Sequence, residues 1–171
     1  MRVIETARAR LEPQTAAHAG EMFIVLSDPA IYQYENAAPT SIDWLRVRYA
    51  KLETRRSTDG REQWLNWVVR LHDGPAIGFV QATIFPDYRA GVAYEFSSKY
   101  WGRGYAGEAV GAMMVELVSQ YRVASFSAIL KAQNWRSVRL LRRLGFVLET
   151  PALQDEREIG ADEIRMVLNS K

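Results

Sequence analysis

The sequence predicts an α/β (α+β) fold: a mixed, mostly antiparallel twisted sheet flanked by helices. Three observations carry this reading. Apolar residues recur at helical spacing up to about residue 54, and from residue 62 the pattern becomes strand-like. Strand-like runs at 62–71, 76–85 and 92–98 are separated only by the turn-forming segments HDGP and PDYRAG, which implies an antiparallel meander. A strand, helix, strand unit then spans 92–130, and such a crossover joins parallel neighbours.

Each element has its own justification. A short first strand fits Arg8 to Glu12. TAAHAGEMFIVLSD (15–28) places Ala19, Met22, Phe23 and Leu26 at helical spacing, with Thr15 as N-cap and Ser27-Asp28-Pro29 as the stop. TSIDWLRVRYAKLET (40–54) starts a second helix at Ser41 and carries the stripe Ile42, Leu45, Tyr49, Leu52. In the first long strand Trp64 and Trp67 fall on opposite faces, one for the core and one as a wall for substrate or solvent. Ala106, Val110, Met113, Leu117 and Tyr121 share the face of a third helix whose small residues allow close packing on a sheet. VASFSAIL (123–130) is a strand. NWRSVRLLRRLGF (134–146) is a helix that ends at Gly145, with Val138, Leu141 and Leu144 on one face. GFVLET and EIRMVLN (163–169) close the chain as strands.

Composition narrows the function classes. The 171 residues are expected to form one domain, 1–171, with 48% hydrophobic and 25% charged residues. There is no cysteine, hence no disulfide, thiolate metal site or cysteine nucleophile. His18 and His72 are isolated, so no metal is expected. No apolar run is long enough for a membrane helix, and the first residues lack the apolar core of a signal peptide, so a cytoplasmic protein is expected. A net charge of +2 gives a mixed surface. The nearest approach to a basic stripe is Arg136, Arg139, Arg142 and Arg143, and no nucleic-acid partner is expected. A homodimer is left open.

The informative stretch is KYWGRGYAGEAV (99–110). It concentrates glycine between a strand end and a helix start. A helix N-terminus exposes unpaired N–H groups and the positive end of the dipole, and glycine lets the backbone approach an anion closely. A phosphate or pyrophosphate would suit it, with Arg103 adding charge; a plain tight turn packed between Trp101 and Tyr105 is the alternative. The Gly-Lys-Ser/Thr of a Walker loop is absent. Residues 102–107 fit G-x-G-x-x-G, but they follow three antiparallel strands and no acidic residue follows at the spacing a dinucleotide fold needs.

With these pieces in order, the chain resembles the GNAT superfamily of acyl-CoA-dependent N-acetyltransferases. WGRGYA matches its Gln/Arg-x-x-Gly-x-Gly/Ala loop with Trp101 in the first place, which is similar to the RimJ/RimL-like branch. ARLEPQTAAHAGEMFIVLSDPAIYQY, PTSIDWLRVRYAKL, AIGFVQATIF and NWRSVRLLRRLGF agree with that branch, over about residues 8–148. The resemblance implies a sheet splayed between its fourth and fifth strands and acetyl-CoA as co-substrate. It also implies direct acetyl transfer, in a ternary complex, to a primary amine: a protein N-terminus or a small amine. It places the pyrophosphate on the amides of Trp101, Gly102, Arg103, Gly104, Tyr105, Ala106 and Gly107, the pantetheine arm along Tyr94, Glu95 and Phe96, and a cofactor contact at Asn134. Three positions depart from the family pattern. Gly107 replaces a frequent Thr or Ser, Gly91 replaces a frequent Glu, and Leu141 stands where many members carry the tyrosine that protonates the thiolate.

Acetyl transfer needs a neutral amine, donors for the oxyanion and a stabilised thiolate. Glu95 is the only carboxylate in its predicted strand and is the candidate general base, against a solvent-facing or ion-paired role. Ser137, one turn before Leu141, is the candidate donor to the thiolate and a second cofactor contact, against a surface serine bonded to backbone. Tyr94 is a third catalytic candidate, against a core aromatic. Arg136 and Arg139 are placed to reach the adenosine phosphates or to lie on a solvated face. TPALQDEREIGADE is acidic on balance and would suit a cationic acceptor. The missing tyrosine and Gly91 also fit a second reading, a module that binds acyl-CoA without turning it over.

Overall fold

The computed structural model describes residues 1–34, 37–149 and 159–169. Its strands are β1 (Ile4–Glu5), β2 (Ala9–Pro13), β3 (Gln63–Leu71), β4 (Ala76–Ile84), β5 (Arg89–Phe96), β6 (Ser125–Lys131), β7 (Val147–Leu148) and β8 (Glu163–Asn169). Its helices are α1 (Ala19–Leu26), α2 (Ile42–Leu52), α3 (Tyr105–Tyr121) and α4 (Trp135–Arg143). The strands form one sheet in the order β1-β2-β3-β4-β5-β6-β8-β7. Every pairing is antiparallel except β5 with β6, the pair joined by the α3 crossover. The mixed, mostly antiparallel fold read from the sequence is the fold observed.

Alternation along the strands divides the core in two. Leu65, Trp67 and Val69 pack with Val110, Met113 and Leu117 of α3 and Leu141 of α4. Val68 faces the other way, onto Met22, Leu45 and Tyr49 of α1 and α2. Trp67 is therefore the core tryptophan. Trp64, on the α2 side, lies half-buried with the Lys51 ammonium 5.9 Å from its ring. Ser41 caps α2 by accepting from the Trp44 amide at 3.0 Å. Ile42, assigned to the apolar stripe, is instead exposed, while Leu45 and Tyr49 of the same stripe are buried.

Two further corrections bear on the site. The strand expected at 92–98 begins at Arg89, which puts Gly91 inside β5 rather than in a turn. The chain also holds an additional short strand, β1, so the fourth and fifth strands of the sequence reading are β5 and β6. Of GFVLET only Val147 and Leu148 form a strand, pairing with β8. The acidic segment lies mostly outside the described residues. Its Asp162 and Glu163 share the Lys131 ammonium, at 2.8 and 3.1 Å, so the trio keeps a single net negative charge.

β5 and β6 pair only at Arg89↔Ser125, Ala90↔Phe126 and Gly91↔Ser127. Beyond Gly91 they part, and among the described residues no strand covers that edge of Val92 to Phe96. On its other edge β5 is held by β4 with unusual closeness. A Cβ on Gly78 would meet the Glu95 carbonyl oxygen at 2.3 Å and the Phe96 Cα at 2.8 Å. Gly78→Ala must push the two strands apart where β5 borders the gap. The substitution is expected to cost ~1–3 kcal/mol in chemical denaturation and to weaken acyl-CoA binding in the same protein.

An ion-pair network anchors α1 to the sheet. Arg70 donates to both Glu21 oxygens, at 2.7 and 2.6 Å, and to Glu12 at 3.0 Å. Glu21 also accepts from the Ala76 amide at 2.8 Å. The Arg70 hydrogen bonds, acting against partial burial, hold the Glu21 carboxyl below the usual carboxylate range. A depressed folded pKa stabilises above the unfolded value, about 4.3 for Glu, and that stability is lost as the pH falls through the folded value. Glu21→Gln should therefore lower Tm by about 2–4 °C at pH 7. Its difference from the parent protein should shrink as the pH is taken down to about 3, which thermal unfolding across pH measures.

Candidate active site

The glycine-rich segment joins β5 to α3. After Phe96 a short 3-10 turn, Ser98–Tyr100, leads into Trp101. Gly102 and Gly104 have φ of +73° and +85°, in the region where a side chain is strained. These two left-handed residues turn the chain into α3, whose N-cap is Gly104. The first helical amide with a partner is that of Glu108, bonded to the Gly104 carbonyl at 3.1 Å. Among the described residues, no acceptor lies against the N–H groups of Gly102 to Gly107. The result is a run of unpartnered donors at the positive end of a 17-residue helix.

Three contacts hold this loop in shape. The Trp101 indole N–H donates to the Phe96 carbonyl at 2.7 Å, tying the loop back to β5. The Arg8 guanidinium donates to the Arg103 carbonyl at 2.9 Å, pairs with Glu108 at 2.6 Å and lies 4.5 Å from the Tyr105 ring centroid. Asp28, read from sequence only as a helix stop, accepts from the Ala30 amide at 3.1 Å and the Ser98 amide at 2.7 Å. It thus links the segment after α1 to the start of the loop. Burial pushes the Asp28 carboxyl up, but its hydrogen bonds with Ser98, Ala30 and Ser97 outweigh that and hold it low.

A cavity of about 620 Å³ runs from this loop along the end of β5 to α4. Its lining includes Tyr94, Glu95, Phe96, Trp101, Gly102 and Gly104 to Glu108. Asn134 and Ser137 close it from the side of α4, where Asn134 Oδ1 caps the helix by accepting from the Ser137 amide at 3.2 Å. That bond leaves the Asn134 side-chain amino group as the donor available to a ligand. A second cavity, of about 410 Å³, lies on the α1/α2 side. Ile31, Tyr34, Tyr94, Glu95, Asn134 and Ser137 line both cavities. They meet where β5 and β6 diverge.

Residues 8–147 match the model of the acetyltransferase (GNAT) domain. The chain belongs to the GNAT acetyltransferase family. It is an acyltransferase. No curated protein sequence matches the chain, but solved structures share its fold at low identity. RimL, a ribosomal L7/L12 alpha-N-protein acetyltransferase in complex with coenzyme A, superposes with a TM-score of 0.82 at 15% identity, over 98% of either chain. The ribosomal-protein-S5-alanine acetyltransferase of Vibrio fischeri gives 0.80 at 18% identity, over 99% of this chain and 97% of its own. The microcin C7 self-immunity acetyltransferase MccE, in complex with acetyl-CoA and AMP, gives 0.77 at 14% identity over 96% and 93%.

Against this GNAT frame the sequence-predicted residues separate into groups. Tyr94, Glu95 and Ser137, the three catalytic candidates, all stand at the junction of the two cavities. Of the cofactor candidates, only Arg103 does not line the first cavity. Its guanidinium lies 6.0 Å from the Tyr100 ring centroid, because the left-handed residues on either side turn its side chain out of the loop. Arg136 and Arg139 do line the cavity, and the Arg136 guanidinium sits 4.8 Å from the Trp101 ring. Leu141 is buried in the core and borders only the second cavity. His18 and His72 serve local structure: His18 contacts Thr15 and Glu12, and His72 contacts Thr6 and Glu5.

Sequence reasoning missed Arg8, Asp28 and Tyr34. Arg8 and Asp28 act on partners remote in sequence, Arg103 and Ser98, and Asp28 already reads locally as a helix stop. Tyr32, beside the junction, has its hydroxyl pushed up to about 12 by burial and by the Glu95 and Asp28 charges. It donates to the Leu26 carbonyl at 2.6 Å and stays protonated at any physiological pH.

Proposed function

We propose that the chain transfers an acetyl group from acetyl-CoA to a primary amine by direct attack within a ternary complex. The observation that carries the reading is the junction itself: one cavity leads from it to a run of unpartnered amides, another leads away, and Tyr94, Glu95 and Ser137 stand where they meet. The pyrophosphate of acetyl-CoA fits the amides of Gly102 to Gly107, which need an acceptor and have open space at Gly102 and Gly107. The pantetheine arm fits the uncovered edge of β5 at Tyr94 to Phe96, as an added strand would. Arg136 and Arg139 would face the adenosine phosphates, with Asn134 donating its side-chain amide.

The amine enters from the second cavity. Glu95 takes its proton, directly or through water, as the nitrogen attacks the thioester carbonyl. The C–S bond then breaks, and Ser137 donates to the departing thiolate in the place of the absent tyrosine. Holding both reactants at one junction supplies much of the acceleration, since effective molarity is worth ~7 kcal/mol or more. The names of RimL and the ribosomal-protein-alanine enzyme favour a protein N-terminus as acceptor; a small amine uses the same chemistry. Incubation with acetyl-CoA and a panel of peptides and small amines, with release of free CoA thiol as readout, tests the reading. Acceptor-dependent thiol release supports it. Binding of acetyl-CoA with no release for any acceptor would instead favour a non-catalytic sensor.

A further inference from the structure

The second cavity continues away from Glu95. A smaller cavity, of about 240 Å³, adjoins it between α2 and the sheet, and Arg48, Leu52 and Gln81 line both. Strand register orders the path, because residues paired across strands share a face of the sheet. Glu95 pairs with Phe79, Ala93 with Gln81 and then Asn66, and Gly91 with Thr83 and then Trp64. Asn66, Gln81, Thr83 and Trp64 line the smaller cavity. The row of Gly91, Thr83 and Trp64 lies four residues along β5 from Glu95, which is ~14 Å at about 3.4 Å per residue.

The two ends of this path carry opposite charge. Glu95 stands at the junction, and among the described residues it is the only acid that lines either cavity. Arg48 and Lys51, both exposed and three residues apart on one face of α2, line the far part. Aromatic neighbours place their charged ends. The Arg48 guanidinium lies 5.7 Å from the ring of Trp44, which lines the second cavity. The Lys51 ammonium lies 5.9 Å from the ring of Trp64, which lines the smaller one. Among the described residues no carboxylate pairs with Arg48 or Lys51. The acids nearest them in sequence or on the sheet are engaged elsewhere. Asp43 pairs with Arg46 at 2.6 Å, Glu53 accepts from the Ala16 amide at 3.0 Å, and Glu62 accepts from the Trp64 indole N–H at 3.1 Å.

We propose that the acceptor is a peptide N-terminus with a carboxylate about three to five residues beyond its amine, held by Arg48 and Lys51 while the amine reaches Glu95. This rests on the acetyl-transfer reading and narrows its acceptor. Charge complementarity carries it: an amine suits the acidic end, a carboxylate suits the basic end, and an extended chain spans the distance between them. A free amino acid is too short to reach the two cations. A polyamine long enough to reach them sets positive charge against positive charge. Because Arg48 and Lys51 are exposed, they select among peptides rather than supply most of the affinity.

The test uses peptide amides that begin with Ala or Ser and carry a single Glu, Gln or Lys at successive positions. Short peptides with a free C-terminus and no Glu separate a terminal carboxylate from a side-chain one. Binding to the CoA-loaded protein and kcat/KM with acetyl-CoA are measured for the parent protein, Arg48→Gln, Lys51→Gln, Lys51→Glu and Arg46→Gln. Glu should be preferred over Gln about fivefold at its best position, with Lys disfavoured. That preference should fall in Arg48→Gln and in Lys51→Gln and turn toward Lys in Lys51→Glu, a reversal that a purely structural role would not produce. Arg46→Gln should keep it, since Arg46 lines neither cavity, and acetyl-CoA affinity should be the same in all. A Glu-to-Gln ratio within about 1.5-fold at every position, a preference that survives in both Arg48→Gln and Lys51→Gln, or a panel none of whose members binds would overturn the proposal. Failure of acetyl-CoA itself to bind is read separately and would instead remove the transfer reading.

Discussion

Valine in place of Gly104 should weaken acetyl-CoA binding by about 10- to 100-fold while the rest of the fold persists. Gly104 has φ +85°, where a β-branched residue is an outlier, and holding a side chain there costs ~1–3 kcal/mol. A Cβ at this position would also meet the Arg8 Nη2 at 3.2 Å. Arg8 must then give way, and with it the bond to the Arg103 carbonyl that holds the loop. The loop would relax toward a helical entry in which its amides no longer converge. Gly60 is the control: its φ is +72° with nothing within 4 Å, and it lines neither cavity. Gly60→Val should lower Tm through the same strain and leave the acetyl-CoA Kd alone. Calorimetric titration of the two variants separates loss of the site from loss of stability.

Glu95→Gln should lower kcat/KM for an amine by about 10²- to 10⁴-fold, the range a positioned general base contributes. Acetyl-CoA should still bind, because the proposed contacts of the arm are to the main chain of β5. The side chain keeps its size and loses only its basicity. The acidic limb of the pH–rate profile, where the parent loses activity as its base is protonated, should flatten in the variant. Retention of most activity with an unchanged profile would mean that the amine loses its proton to solvent or to another group at the junction. Steady-state kinetics across pH with a saturating thioester concentration measures this.

Local signals made much of this legible in the sequence. Turn chemistry at HDGP and PDYRAG set off the long strands, and the glycines of 102–107 marked the strand-to-helix turn. Asn134 and Gly145 bounded α4 as their side chain and positive φ require. Alternation placed Glu95 opposite Tyr94 and Phe96, and the structure keeps that alternation while bringing both Tyr94 and Glu95 to the junction of the two cavities. Long-range relations were not legible. No local pattern says that Arg8 clasps a loop nearly a hundred residues away, or that Asp28 bonds Ser98. The side chain of Arg103, between two residues of positive φ, lies beside the Tyr100 ring rather than in the first cavity, a placement that no local pattern predicts.

An amide-resolved NMR titration with acetyl-CoA tests the central claim most directly, since it reads the main-chain donors one by one. Saturable shifts should be largest at the amides of Gly102 to Gly107, with smaller ones at Tyr94 to Phe96 and Asn134. Shifts that leave 102–107 untouched, or no saturable binding, would contradict the account.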